Sequence, residues 1–526
     1  MKLADILIRG AADSPDSIAV THGEDSITYR ELLVKCAGLA EYLKGLSIPP
    51  GERAAILCEN SIDYAIYFFG STLADLVVVP LDSSLKPESL GYIIKDCGAR
   101  IFLSQTKYIR FIKRIIEDNC NLEYCIFDRS WMENNLPGSI SSLEDIFDRD
   151  EISDFDKIIN NIDKIAPPEC MVHDKLPDCP DELAAIFYTS GSTGKSKGVM
   201  LSHLNLVSNT VATVEYLKLK PNDSIICILP FYYIYGNSIL LTHFLIGARL
   251  VIDNRFAFPQ AILDTMKKEK VTGFSGVPSN FMILLNNDNF RADKLPDLRF
   301  LTQAGGAMAS SVIEKVMAAF TGREICIMYG QTEAAPRVSY LPPEKLKEKL
   351  GSAGIPVPGV MISIRDDNGN EMPPGEVGEI VVSGPNVMLG YWNQPDEQAE
   401  VLKNRHLYTG DLARRDEDGY IFIVARKKEI LKVGGNRVSA REIEETLLNY
   451  DKIQEVAVVG TTDDILGEAI RAVIALKDGE QCNPDDIRNH CRTKLAAHKV
   501  PQYIDFMDEL PKTQAGKINK QALKKV

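Results

Sequence analysis

The run Tyr188-Thr189-Ser190-Gly191-Ser192-Thr193-Gly194-Lys195-Ser196-Lys197-Gly198 gathers groups suited to holding phosphate. Glycines let backbone N–H groups approach phosphate oxygens, the hydroxyls of Thr189, Ser190, Ser192 and Thr193 can donate to them, and Lys195 and Lys197 offset their charge. A Walker loop would need glycine five residues before Gly194, where Thr189 stands, so a P-loop phosphotransferase is disfavoured. Viewed alone, the loop is as compatible with a solvated turn as with a phosphate cradle.

Four further groups stand downstream in order: Tyr329-Gly330-Gln331-Thr332-Glu333; Tyr408-Thr409-Gly410-Asp411; Arg426 with Leu431-Lys432-Val433-Gly434-Gly435; and Pro511-Lys512-Thr513-Gln514-Ala515-Gly516-Lys517. Singly, Glu333 reads as a surface carboxylate, Asp411 as a turn residue and Lys517 as a tail charge. In this order, with the first loop, they resemble the signature motifs of the adenylate-forming superfamily of acyl-CoA synthetases, peptide-synthetase adenylation domains and luciferases, over residues 27–520.

That resemblance implies ATP-dependent activation of a carboxylic acid to an acyl-adenylate, with release of pyrophosphate and transfer of the acyl group to a pantetheine thiol. The implied cofactors are ATP, Mg²⁺ and coenzyme A, or the phosphopantetheine of a free acyl-carrier protein. By resemblance, Glu333 holds Mg²⁺, Thr332 contacts the α-phosphate, and Tyr329, beside Gly330, stacks on adenine. Gly305, Gly306 and Ala307 line the adenine slot, Asp411 accepts from both ribose hydroxyls, and Arg426 assists there. Lys517 bridges the attacking carboxylate and the nucleotide, a task for a flexible point charge that can be delivered and withdrawn. Two successive reactions at one acyl carbon require its withdrawal, so a rotating C-terminal domain is expected, with its hinge at Lys428 and a pantetheine tunnel past Gly434 and Gly435.

The acid should meet the aromatic run Pro230-Phe231-Tyr232-Tyr233-Ile234-Tyr235-Gly236, where Tyr233 stands in place of the histidine of many family members. Phe274, Gly276, Val277, Pro336 and Arg337 are expected at the pocket edge. No Asp in the aromatic run can pair with an α-ammonium group, so an amino acid is disfavoured and a fatty or aryl acid leads. Arg337 is expected at the surface, the alternative being that it faces a polar or anionic distal group of the acid. Ala425 and Met308 depart from the residues usual before Arg426 and after Ala307, without removing a chemical group.

The elements that must position these residues follow from periodicity. Short apolar runs at 54–58, 76–80 and 100–103 alternate with helical patterns at 62–74 and 87–97, and the rhythm resumes at 183–189, 224–229, 248–253, 300–304 and 324–329. Such alternation predicts α/β architecture with αβα-layered, parallel-rich sheets. Residues 129–179, polar and acidic, read as a surface connection, and the turn signals after Gly351 predict a small β-rich subdomain. The expected domains are 1–427, binding AMP, and 428–526, a small mobile α+β unit carrying Lys517.

With 45% hydrophobic and 25% charged residues the chain has globular composition, and its net charge of −14 opposes a nucleic-acid partner. No stretch reaches the ~18 apolar residues of a membrane span, so a soluble, cytoplasmic protein is expected, with a homodimer possible. Eleven cysteines without a CxxC pair suggest reduced, mostly buried thiols, and the seven histidines lack metal-ligand spacing, so no structural metal is expected. The competing functions are carrier-protein loading, amino-acid adenylation, luciferase-type oxidation and a non-catalytic nucleotide-binding module; the joint presence of Glu333 and Lys517 opposes the last.

Overall fold

The computed structural model describes residues 1–109, 115, 122–129, 139–147, 155–159, 179–190, 196–287, 290–433, 436–463, 467–512 and 518–524. Helix starts are set locally. Thr28 and Glu31 form a reciprocal capping box at Tyr29–Gly45, and Ser202 and Asn205 do the same at His203–Tyr216, satisfying backbone N–H groups that have no partner within the helix.

Two large sheets form the body. The first runs, in spatial order, Ile355–Pro356, Arg337–Leu341, Glu324–Gly330, Phe300–Gln303, Gly273–Gly276, Ser224–Cys227, Arg249–Ile252, Ile18–His22 and Asp25–Thr28. Its central strands are parallel and its edges antiparallel. The second runs Gly390–Tyr391, Ser196–Ser202, Leu183–Ser190, Val77–Pro80, Arg53–Leu57, Ile101–Ser104, Tyr124–Phe127 and Ser139–Ser142, parallel except for its first three strands.

Strand alternation sorts the side chains into layers. Ala54 and Ile56 of the second sheet and Ile225 and Cys227 of the first share one core with the helices Tyr29–Gly45, Ile62–Leu73, His203–Tyr216 and Ile234–Leu245. Ala55 and Leu57 face the helix Pro87–Cys97 instead, while Ile226 faces Pro259–Lys268 and Ser310–Ala319. Helices therefore fill the space between the sheets and cover both outer faces. This is the expected layered α/β body.

The expected surface connection at 129–179 is corrected where it is described. Ser139–Ser142 pairs in parallel with Tyr124–Phe127 as the edge strand of the second sheet, and Leu143, Ile146 and Phe155 are buried. A few apolar residues spaced within a polar sequence suffice to seal the helix Tyr29–Gly45, which the polar average conceals.

A third, antiparallel sheet comprises Met361–Arg365, Val377–Ser383, His406–Arg415, Leu402–Lys403 and Ile421–Arg426, matching the expected β-rich subdomain. Through the short turn Lys427–Glu429 the chain enters a fourth sheet of Ile430–Val433, Asn436–Ser439, Gly467–Leu476, Ile453–Asp463 and Tyr503–Phe506, covered by Ala440–Leu448 and Pro484–Lys494 with its own core. Seven of the nine described cysteines are buried.

Candidate active site

In open α/β sheets ligands bind beyond the carboxyl ends of the strands. Most of the described candidate residues gather there. Glu324–Gly330 delivers Tyr329 and Gly330, and a one-turn 3-10 segment, Thr332–Ala334, then reverses the chain into Arg337–Leu341, so that Gly330 pairs with Arg337. Only glycine fits at 330, because a Cβ there would collide with the Pro336 carbonyl oxygen. Asn386 Nδ2 donates to the carbonyls of Ala334 and Arg337, both at 3.0 Å, fixing the reversal from outside.

Glu333 sits half-buried on this turn, and the Tyr391 hydroxyl donates to its Oε1 at 2.8 Å. Burial and then the Glu333 charge push the Tyr391 phenol well up, so it stays a donor. Tyr391 also pairs with Val199 beside the phosphate loop, and the Met388 N–H donates to the Glu333 carbonyl. One short segment thus ties Glu333 to the base of the loop. Lys197 forms an ion pair with Glu397 and lies 5.4 Å from the Tyr391 ring centroid. Thr189 pairs with Lys197 and Ser190 with Ser196; Gly191, Ser192, Thr193, Gly194 and Lys195 lie outside the described residues.

The third sheet reaches the same place. The Tyr329 hydroxyl donates to Asp411 Oδ2 at 2.7 Å, while Arg426 Nε stands 3.3 Å from Asp411 Oδ1. Burial pushes the Asp411 carboxyl up from its ordinary value, against the pull of Arg426 and Tyr329. The loop after Phe300–Gln303 holds Gly305, Gly306 and Ala307, with Gln303 Nε2 bonded to the Gly306 carbonyl at 2.8 Å.

On the other side of the crevice, Tyr232 and Tyr233 pack with ring centroids 4.8 Å apart. The Tyr233 hydroxyl donates to Asp82 Oδ2 at 3.0 Å, bridging the two large sheets. Gly236 lets the helix Ile234–Leu245 start close under the Pro230 carbonyl. Two expectations change here. Phe274 is fully buried, edge-to-face with Phe281 under the outer helices, and the residue of its strand that faces Tyr235 is Ser275, whose hydroxyl lies 2.6 Å from that of Thr302. Val277 occupies the N-cap position of the next helix, its backbone N–H donating to Asn280 Oδ1 at 2.9 Å, and Pro336 precedes Arg337. Arg337 is not at the surface: it is 4% exposed, its backbone clamped by both amide atoms of Asn209.

Gly434, Gly435 and Lys517 lie outside the described residues. Their surroundings are visible. Lys512 and Ile518 pair across the tail, and Lys520 Nζ contacts Glu429 at 2.8 Å and Glu444 at 2.9 Å, tying the tail to the turn that contains Lys428.

Among the described residues no cluster of three or more His, Cys, Asp or Glu could cage a metal. A single half-buried carboxylate at Glu333 fits Mg²⁺, which keeps its waters and binds through one or two carboxylates plus substrate phosphates. Sequence reasoning missed Tyr391, Asp82 and Asn209, and nothing local marks them. Within the run Phe274-Ser275-Gly276-Val277-Pro278, expected at the pocket edge, strand alternation would have chosen Ser275 over Phe274.

Comparisons with known proteins find relatives over nearly the whole chain. A family model described as AMP-binding enzyme matches residues 7–392, and one described as AMP-binding enzyme C-terminal domain matches 442–517. The chain is 32% identical to a long-chain-fatty-acid–CoA ligase of Escherichia coli O6:H1, covering 99% of this chain and 94% of the relative. It is also 32% identical to a feruloyl-CoA synthase of Amycolatopsis, with coverage of 98% and 96%. The solved anthranilate CoA ligase AuaEII in complex with anthranoyl-AMP superposes with a TM-score of 0.85 at 26% identity, covering 99% of this chain and 96% of that one. Among the described residues no helix is long and apolar enough to cross a membrane.

Proposed function

The chain belongs to the AMP-binding enzyme family, and from that premise we propose that it joins a fatty or aryl carboxylic acid to AMP, releasing pyrophosphate, and then passes the acyl group to the thiol of coenzyme A. The observation that carries this reading is the convergence of Glu333, Tyr329, Asp411 and Arg426 on one turn at the carboxyl end of the first sheet, with the base of the phosphate loop tied to Glu333 through Tyr391.

A carboxylate attacking the α-phosphate of ATP brings two anions together, so the site must supply positive charge and fixed donors. Thr332 offers a hydroxyl to the α-phosphate, and the loop 189–197 offers hydroxyls and lysines to the phosphates beyond it. Asp411 accepts from the ribose hydroxyls, with Tyr329 and Arg426 holding its carboxylate in the meantime. Gly305, Gly306 and Ala307, with the Tyr329 ring, flank the adenine. Mg²⁺ held by Glu333 would neutralise the departing pyrophosphate. Lys517 pairs the attacking oxygen with the nucleotide, and its removal clears the path for the thiol.

Two consequences follow for the organisation. The units are 1–427 and 428–526, and Lys428 is the pivot on which the second turns. The Lys520 contacts with Glu429 and Glu444 couple the tail carrying Lys517 to that pivot, and Gly434 and Gly435 give the pantetheine arm its close passage along backbone. The test is stoichiometry: with ATP, acid and coenzyme A the protein should form one AMP, one pyrophosphate and one thioester per turnover, whereas ADP and phosphate as products would overturn the reading.

A further inference from the structure

Arg337 starts its strand opposite Gly330, so it stands at the same end of the first sheet as Ser275, Thr302 and Tyr329. Tyr235, near the start of the helix that follows Ser224–Cys227, comes to the same end. The guanidinium carbon lies 4.2 Å from the Tyr235 ring centroid, and Nη2 donates to Ser238 Oγ at 3.1 Å. Arg337 Nε, buried, has no hydrogen-bond partner among the described residues, and none of their carboxylates forms an ion pair with this side chain.

The groups around it are polar but neutral. The Tyr235 hydroxyl lies 3.0 Å from Thr302 Oγ1, and the Tyr216 hydroxyl donates to the Met328 sulfur at 3.0 Å. A buried guanidinium without a counter-ion is costly, and in this planar fork of donors the Nε–H is left without an acceptor among the described residues. A carboxylate meets both demands, since it neutralises the charge and takes two parallel N–H bonds. A plain alkyl or aryl end meets neither.

We propose that Arg337 receives a second carboxylate, at the end of the acid remote from the one that is adenylated, so that the substrates are dicarboxylic acids, aliphatic or aryl. This deepens the acid-activating reading of the site and rests on it. The aromatic face of Tyr235 and the hydroxyl of Ser238 orient the fork, and the Asn209 and Asn386 clamps on the Arg337 backbone keep it from following the ligand out.

The test uses the full chain and chain-matched pairs, a dicarboxylic acid against the monoacid of equal length and a benzenedicarboxylic acid against benzoic acid. Acid-dependent exchange of labelled pyrophosphate into ATP gives kcat/KM for each. Wild type should favour the diacid by about 100-fold or more, because a site built to bond a polar group rejects the analogue that lacks it. Arg337→Met, which keeps the apolar stem, should collapse that ratio, and Arg337→Lys, with charge but no fork, should fall between. Preference of wild type for monoacids, or an unaltered ratio in Arg337→Met, overturns the proposal. Calorimetric binding of the same acids to wild type and Arg337→Met separates the two readings: diacid binding that depends on Arg337 without any exchange supports the assignment and counts against adenylation, while binding indifferent to Arg337 counts against the assignment whatever the exchange shows.

Discussion

At the nucleotide end of the crevice the charged groups already face one another. Glu333 takes the Tyr391 hydroxyl, Asp411 takes Tyr329 and approaches Arg426, and Lys197 meets Glu397. At the proposed acyl end Arg337 is buried among neutral side chains, with one donor placed on Ser238 and a second, Nε, left without a partner among the described residues. On the proposed reading, the nucleotide end waits in water with its charges balanced and exchanges those partners for ATP. The proposed acyl end has no such substitute among the described residues, and that asymmetry points to the acid, rather than the nucleotide, as the ligand for which this chain is individually shaped.

The sharpest way to break the nucleotide side of this comparison is Lys517→Ala. Loss of a charge acting on the developing transition state should lower acid-dependent adenylation about 100- to 1000-fold, while thioester formation from a supplied acyl-adenylate should fall far less. Single-turnover kinetics of the two half-reactions measures both, and equal losses in each would remove Lys517 from its assigned step. Next in size, Glu333→Gln should reduce kcat about 100-fold and raise the Mg²⁺ concentration needed for half-maximal rate, read from a Mg²⁺ titration at saturating ATP.

Asp411→Asn should act mainly on binding. Weakening charge-assisted bonds to the ribose, each worth about 1.5–3 kcal/mol, should raise the KM for ATP about 10- to 100-fold with a smaller effect on kcat. A change confined to kcat would move Asp411 away from the ribose. Smallest is Tyr391→Phe: one hydrogen bond to Glu333, about 1 kcal/mol, should be lost, a roughly fivefold drop in kcat accompanied by a weaker Mg²⁺ response. A fivefold loss insensitive to Mg²⁺ would mean that Tyr391 supports the fold of the loop base rather than the carboxylate.

The nucleotide end was legible because its groups come in contiguous runs, where a strand, a turn and the next strand place neighbours in sequence side by side. Thr332 and Glu333 share one turn, and glycine at 330 is demanded by the close Pro336 carbonyl. The layered sheets were legible for the same reason, since βα alternation is a local pattern. Tyr391 lies 58 residues from Glu333, and only the pairing of Gly390–Tyr391 with Ser196–Ser202 brings it there, which no local pattern encodes. Arg337 was read toward the surface because a charged residue is exposed by default. Its burial depends on Asn209 and Asn386, 128 and 49 residues away.

The most direct test of the whole account is exchange of labelled pyrophosphate into ATP by wild type across fatty, aryl, dicarboxylic and amino acids, with Lys517→Ala and Glu333→Ala alongside. The account predicts exchange that requires an acid and Mg²⁺, is strongest with dicarboxylic acids and is lost in both variants. Exchange that proceeds without any acid, or that survives both substitutions, would contradict it.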